Sequence, residues 1–137
     1  MSDIRSIGAL VGTNWTTGVS IATTATTTGT VVDVLGDNAS EGEIDLFLVY
    51  TFPNAAPTAG GTIAVRCYPS WDLTNGADAA ATNAPILYAD LAVQNTTHQV
   101  YIGTIRCSRF MTGAIFNSAT GQTITNAALL YQLTKRY

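Results

Sequence analysis

Histidine, cysteine and carboxylate side chains are the groups in this sequence that could carry catalysis or bind a metal, and they are few. His98 is the only histidine among the 137 residues, and the two cysteines, Cys67 and Cys107, lack the paired spacing of zinc ligands. Nucleophilic catalysis near neutral pH needs a base beside the nucleophile, usually histidine, and no Gly-x-Ser-x-Gly elbow is present. These residues predict a protein that is not an enzyme and holds no metal or cofactor.

Each cysteine ends a predicted strand. A disulfide between them is geometrically possible if those strands are neighbours, because it requires Cα atoms within about 7 Å of each other. The start of the sequence shows no signal-peptide pattern. We therefore expect synthesis in the cytoplasm and two buried free thiols, the usual state in a reducing compartment.

Two groups of acidic residues could bind a metal or act in catalysis. The first comprises Asp37, Glu41, Glu43 and Asp45. Calcium binding needs several loop oxygens, but this spacing does not match the EF-hand loop, so a solvated acidic turn or a salt bridge between subunits is favoured. The second group is Asp72 and Asp78 in one long polar loop, where nothing else indicates the cleft that a glycosidase pair requires.

Aromatic side chains are the better candidates for binding. Tyr68 and Trp71 stand beside Asp72 and Asn75, and an aromatic face with polar neighbours suits either a sugar or a protein partner. The low charge of the chain favours the protein interface. Trp15 either anchors an N-terminal arm to a neighbour or is buried at the edge of the domain.

Composition points to assembly. Hydrophobic residues make up 47% of the chain and charged residues only 11%, whereas an ordinary soluble domain carries roughly a quarter charged residues. A surface so poor in charge predicts contact with other protein, although a monomer with a Thr/Asn-rich surface is the alternative. The net charge of −3 and the scattered cations argue against nucleic acid, and no apolar run approaches the roughly twenty residues that span a bilayer.

Residues 44–52 (IDLFLVYTF) must form the central element that positions everything else. The segment is short, apolar and closed by Pro53, which predicts a strand in the middle of a sheet rather than a helix. Both of its faces are substantially apolar, so each needs a cover. One face carries Ile44, Leu46, Leu48, Tyr50 and Phe52, and the other carries Asp45, Phe47, Val49 and Thr51.

Further short strands are separated by turn residues at regular spacing. They are predicted at 19–21, 30–35, 62–68, 86–93, 98–107, 109–117 and 127–137. Seven to nine strands without a long amphipathic helix predict an all-β fold, an antiparallel β-sandwich with jelly-roll topology. We expect an extended N-terminal arm over residues 1–18 and a single sandwich domain over residues 19–137.

The second half of the chain resembles small accessory proteins of tailed-bacteriophage virions. Three features carry the likeness: a strand that runs through Tyr-Pro-Ser into a Thr-Asn loop (IAVRCYPSWDLTNGAD), a late strand that ends in Asn with a Thr-Gly turn (GAIFNSATGQTI), and a final apolar strand that ends in Arg136-Tyr137. The likeness covers residues 44–137.

The resemblance implies a structural role in a virion, made in the host cytoplasm. We expect a capsid decoration (cement) protein or another minor structural protein, assembled as a homo-oligomer such as a trimer and bound to the major capsid protein or other virion proteins. A tail or neck location stays open, and a glycan-binding β-sandwich module that uses Tyr68 and Trp71 is the alternative from another class.

Overall fold

The computed structural model describes residues 7–12, 18–36, 41–53, 62–70, 86–89, 98–118 and 120–137. These residues form ten strands and, within these ranges, no helix. The strands are β1 (Ile7–Val11), β2 (Val19–Ile21), β3 (Thr26–Thr28), β4 (Val32–Asp33), β5 (Glu41–Thr51), β6 (Thr62–Ser70), β7 (Ile86–Ala89), β8 (His98–Ser108), β9 (Phe110–Ser118) and β10 (Ile124–Arg136).

The strands build two antiparallel sheets that pack face to face. The first sheet has the order β1-β10-β5-β8, with β2 also paired to β10, and the second has the order β3-β9-β6-β7, with β4 also paired to β9. Because β2 continues the line of β1 along β10, and β4 continues β3 along β9, each sheet has four strand positions. Eight positions in two such sheets form a jelly roll, as the turn spacing predicted.

The central strand predicted at 44–52 is β5, which lies between β10 and β8. Alternation along the strand turns one of its two faces toward the core, where every member is fully buried: Ile44, Leu46, Leu48, Tyr50 and Phe52. Each such side chain contributes about 1.5–3 kcal/mol through burial. The strand begins earlier than predicted, at Glu41, because the residues before Ile44 continue the pairing with β8 and β10.

The N-terminal segment differs from the expected arm over residues 1–18. Its residues Ile7–Val11 form β1, and Leu10 and Val11 are 1% and 2% exposed in the core between the sheets. Gly8 and Gly12 weaken the alternation of apolar and polar residues in the sequence. Position 8 nevertheless requires glycine, because the Tyr131 ring occupies the space that a Cβ would need. Within the described residues, the sandwich therefore already includes Ile7–Val11, ahead of residue 19.

Other boundaries shift by a few residues. The Thr-rich stretch before the predicted strand 30–35 holds β3, and that strand itself shortens to β4. β6 continues through Pro69 to Ser70, and β10 begins at Ile124 rather than at residue 127. Asn126 adopts a positive φ of 52° where the pairing of β10 with β5 shifts, an irregularity that strand patterning does not reveal.

Candidate interaction surface

The outer face of the first sheet carries an apolar row that crosses all four strand positions. The register places Ala9 beside Leu130, Leu130 beside Phe47, and Phe47 beside Tyr101. The Phe47 and Tyr101 rings lie 5.7 Å apart between centroids, at a tilt of 55°. Tyr101 is 55% exposed, so the row presents an aromatic ring to solvent.

A β-bulge in β8 aims Tyr101 at this face. Phe47 pairs with Tyr101 and the preceding Leu46 pairs with Gly103, so Ile102 is the extra residue. Gly103 adopts a φ of 155° at the bulge. Tyr101 and Thr104 are three apart and would point to opposite faces of a regular strand, but the bulge returns both to the outer face.

A chain of hydrogen bonds fixes the position of the Tyr101 hydroxyl. The Thr104 Oγ1–H donates to Asp45 Oδ1, and the Tyr101 Oη lies 2.6 Å from the same Thr104 oxygen. Because the only hydroxyl proton of Thr104 is committed to Asp45, Tyr101 must donate in its turn. The exposed phenol is thereby held in one orientation, which reduces the side-chain entropy that a partner would have to overcome.

Charged residues border this row at the end of the sheet where β5 begins. Arg106 Nη2 lies 3.1 Å from Glu41 Oε2, and its guanidinium carbon is 4.8 Å from the centroid of the Tyr137 ring. Lys135 Nζ lies 5.1 Å from the same ring, and the Tyr137 hydroxyl donates to Glu43. That hydrogen bond raises the pKa of Tyr137 above its usual value.

The two exposed aromatic side chains are therefore on one face. Among the residues that the structure describes, Tyr101 and Tyr137 are the large hydrophobic side chains that are exposed, at 55% and 51%. We call the surface formed by Phe47, Tyr101, Leu130 and Tyr137 the outer aromatic face. Tyrosine and arginine together, with apolar neighbours and a charged rim, are typical of the residues that dominate protein interfaces.

The predicted interaction residues lie elsewhere or outside the described residues. Tyr68 is half-buried on the outer face of the second sheet, opposite Thr112 in the register, so the structure does not bring it near Tyr101. Trp15, Trp71, Asp72 and Asn75 lie outside the described residues. The sequence offered one signal for the outer aromatic face, since Phe47 lies on the second apolar face of the central strand.

The two cysteines lie in different sheets and form no disulfide with each other. Cys67 lies in β6 of the second sheet and Cys107 in β8 of the first, and both are buried free thiols. Burial raises the pKa of Cys67 to about 12 and is also the main reason that the pKa of Cys107 rises to about 11. The described residues contain no group of three or more histidine, cysteine or acidic side chains able to hold a metal.

The first-group acids belong mainly to β5 rather than to a turn. Glu41, Glu43 and Asp45 alternate on the outer face, where Arg106, Tyr137 and Thr104 respectively engage them within the chain. Asp37 lies outside the described residues.

The Asn-Ser-Ala-Thr-Gly-Gln motif has a structural role. The Asn117 side chain is fully buried, and its Nδ2 donates to the carbonyls of Ile21 and Gln122 at 3.0 and 2.8 Å. Thr120 Oγ1 lies 2.6 Å from Asn117 Oδ1, to which it donates. These bonds tie the β9–β10 turn to the end of β2, so the motif locks two loops together.

A further polar contact fixes the turn between β8 and β9. Arg109 donates two hydrogen bonds to the Asp33 carboxylate, from Nη2 to Oδ2 at 2.9 Å and from Nε to Oδ1 at 3.2 Å. The hydrogen bond from Arg109 is the largest cause of a lowered pKa at Asp33. The pair connects β4 to this turn and stays clear of the outer aromatic face.

Comparisons with known proteins do not identify the fold, so the fold assignment depends on the strand order. No family model matches the chain, and no curated protein matches it. One similar solved structure is the pre-peptidase C-terminal domain of a collagenase from Bacillus anthracis, with 13% identity, a TM-score of 0.30, and coverage of 96% of this chain and 90% of that chain. Within the described residues, no helix is long and apolar enough to cross a membrane.

Proposed function

We propose that this chain is a non-enzymatic structural protein of a bacteriophage particle, a capsid decoration protein that binds copies of itself and the capsid. It would be made in the host cytoplasm and act in the virion. The observation that carries the proposal is the outer aromatic face, on which Tyr101 and Tyr137 are exposed together.

The physical support comes from what an interface needs. Phe47 already packs against the Tyr101 ring, and Leu130 lies beside Phe47 on the next strand, so a partner that covers the exposed side of Tyr101 completes a desolvated pocket. The charged border at Glu41 and Arg106 is exposed, which suits a polar rim that selects partners more than it adds affinity. The scarcity of charge elsewhere in the chain points the same way.

The fold agrees with this role without specifying it. Jelly rolls occur in viral capsid proteins and in lectins, so the architecture suits particle assembly and sugar binding equally. The resemblance of residues 44–137 to phage virion accessory proteins favours the particle. A tail or neck position in the same particle would use the same surface.

Co-sedimentation with capsids tests the proposal. Tyr101→Ala should weaken binding by at least about tenfold, the loss expected for an interface hot spot. Tyr68→Ala is the matched control, since it removes a half-buried tyrosine from the outer face of the opposite sheet. Equal binding by wild type and Tyr101→Ala would remove the surface assignment, and a loss confined to Tyr68→Ala would move the interface to the second sheet.

A glycan-binding module is the second candidate, and one observation favours it. Tyr101 presents an exposed ring beside the Thr104 hydroxyl and the Asp45 carboxylate, which is a usual combination for stacking and hydrogen bonding to a sugar. A glycan array separates the two functions. Sugar binding that disappears in Tyr101→Ala while particles stay intact supports the module, whereas failed assembly without any sugar binding supports the structural role.

A further inference from the structure

β1 and β2 pair with β10 along the same edge, and residues 13–17 between them lie outside the described residues. β1 pairs with β10 from Ile7 opposite Gln132 to Val11 opposite Leu129, and β2 resumes the same antiparallel line opposite Ala127. Within the described part of the chain, β1 pairs with no other strand. It can therefore leave its place without breaking any other strand pairing.

The place that β1 fills is a fitted slot. Leu10 and Val11 are 1% and 2% exposed and enter the core between the sheets. A Cβ built on Gly29 would lie 1.7 Å from the Leu10 carbonyl oxygen, and one on Gly113 would lie 2.9 Å from the Leu10 Cβ. Gly29 and Gly113 thus let the backbone of β1 lie closer to β9 and to the residue after β3 than any side chain at these positions would allow. This close fit fixes the register of β1.

Glycines also flank residues 13–17 on both sides. Gly12 adopts a φ of +73°, and a Cβ on it would lie 2.9 Å from the Ala127 carbonyl oxygen. A Cβ on Gly18 would lie 2.5 Å from that same oxygen. The seven residues from 12 to 18 can span up to about 24 Å when extended, which is the length of chain available to an exchanged β1.

We propose that β1 is exchanged between copies of this chain, so that the β1 of one copy fills the slot beside β10 of its neighbour. The inference rests on the self-association in the proposed function and names the element that performs it. Exchange preserves every contact of Leu10, Val11 and the β10 pairing, and changes only the path of the linking residues. It joins the copies through buried apolar side chains instead of a surface contact alone.

A cysteine pair across the slot tests the exchange. Ala9 and Leu130 are register partners and half-buried on the outer face, and directly paired residues in antiparallel strands have Cα atoms close enough for a disulfide. Chains with Ala9→Cys alone are co-expressed with chains with Leu130→Cys alone and then oxidised. Exchange predicts a cross-linked species of twice the 14.4 kDa chain mass on a non-reducing gel.

The controls separate the possible failures. The double variant in one chain shows whether the pair can bond at all, and Ile7→Cys with Gln132→Cys supplies a second pair from the same register. Wild type, oxidised in parallel, reports any reaction of the two native cysteines.

Two results overturn the inference. If the native mass shows oligomers but both double variants form only intrachain bonds and the mixed single variants do not cross-link, β1 stays in its own chain and the proposed function still stands. If the protein is a monomer without cross-links, the exchange and the self-association fall together.

Discussion

The buried amide of Asn117 gives the sharpest stability prediction. Asn117→Ala removes two donated hydrogen bonds, to the carbonyls of Ile21 and Gln122, and the bond accepted from Thr120. The backbone N–H and C=O of residue 117 keep their bonds to Ala25 and Thr24. At about 1 kcal/mol for each lost bond, the substitution should lower the free energy of unfolding by about 3 kcal/mol.

Urea unfolding followed by circular dichroism measures this loss. With a slope of about 2 kcal/mol per molar urea, the midpoint should fall by about 1.5 M. Gln122→Ala is the matched control, because Gln122 takes part through its backbone carbonyl, which accepts the hydrogen bond from Asn117 Nδ2. That variant should stay within about 0.5 kcal/mol of wild type. An Asn117→Ala midpoint equal to the control would show that the network does not stabilise the fold.

Three further predictions concern other parts of the sandwich. Because Arg109 lowers the pKa of Asp33, the pair stabilises the fold above the ordinary aspartate pKa of 3.8 and loses that effect as the pH falls through the lower, folded value. Arg109→Ala should therefore cost under about 1 kcal/mol at pH 7, since the pair is partly exposed, and the difference from wild type in urea should vanish in strong acid. Thr24 holds a φ of 63°, so Thr24→Asn should raise the free energy of unfolding by about 1 kcal/mol, and a lower melting temperature than wild type would contradict this. Burial and the raised pKa values of Cys67 and Cys107 predict that both thiols react about 100-fold or more slowly with a thiol reagent at pH 8 than in unfolded protein, and fast labelling of folded protein would refute that.

The sequence was informative where burial alone decides the pattern. The length of residues 44–52 and the stop at Pro53 predicted a central strand, and β5 is that strand, with one apolar face fully buried in the core. The structure also agrees with the prediction that Cys67 and Cys107 are buried free thiols. Turn spacing and strand number indicated the antiparallel sandwich, and the observed strand order is that of the jelly roll expected within this class.

The position of Tyr101 could not be predicted because it depends on a bulge. Strict alternation from His98 gives no reason to group Tyr101 with Thr104, and only the extra residue Ile102 brings both side chains to the face of Asp45. A bulge is set by pairing with the neighbouring strand, which local sequence does not report.

The role of the N-terminal segment was hidden for a related reason. Gly8 and Gly12 looked like signs of an irregular arm, but their missing side chains make room for Tyr131 and for the backbone of β10. Close approach between distant parts of the chain is a tertiary property, so glycine appears in the sequence only as a break.

Sedimentation velocity of the purified chain, alone and with capsids, tests the central claim most directly. The proposed role predicts a sedimenting species that is a multiple of the 14.4 kDa chain and that moves with the particles, with both properties weakened in Tyr101→Ala. A stable monomer of 14.4 kDa that does not sediment with the capsids would contradict the proposed role.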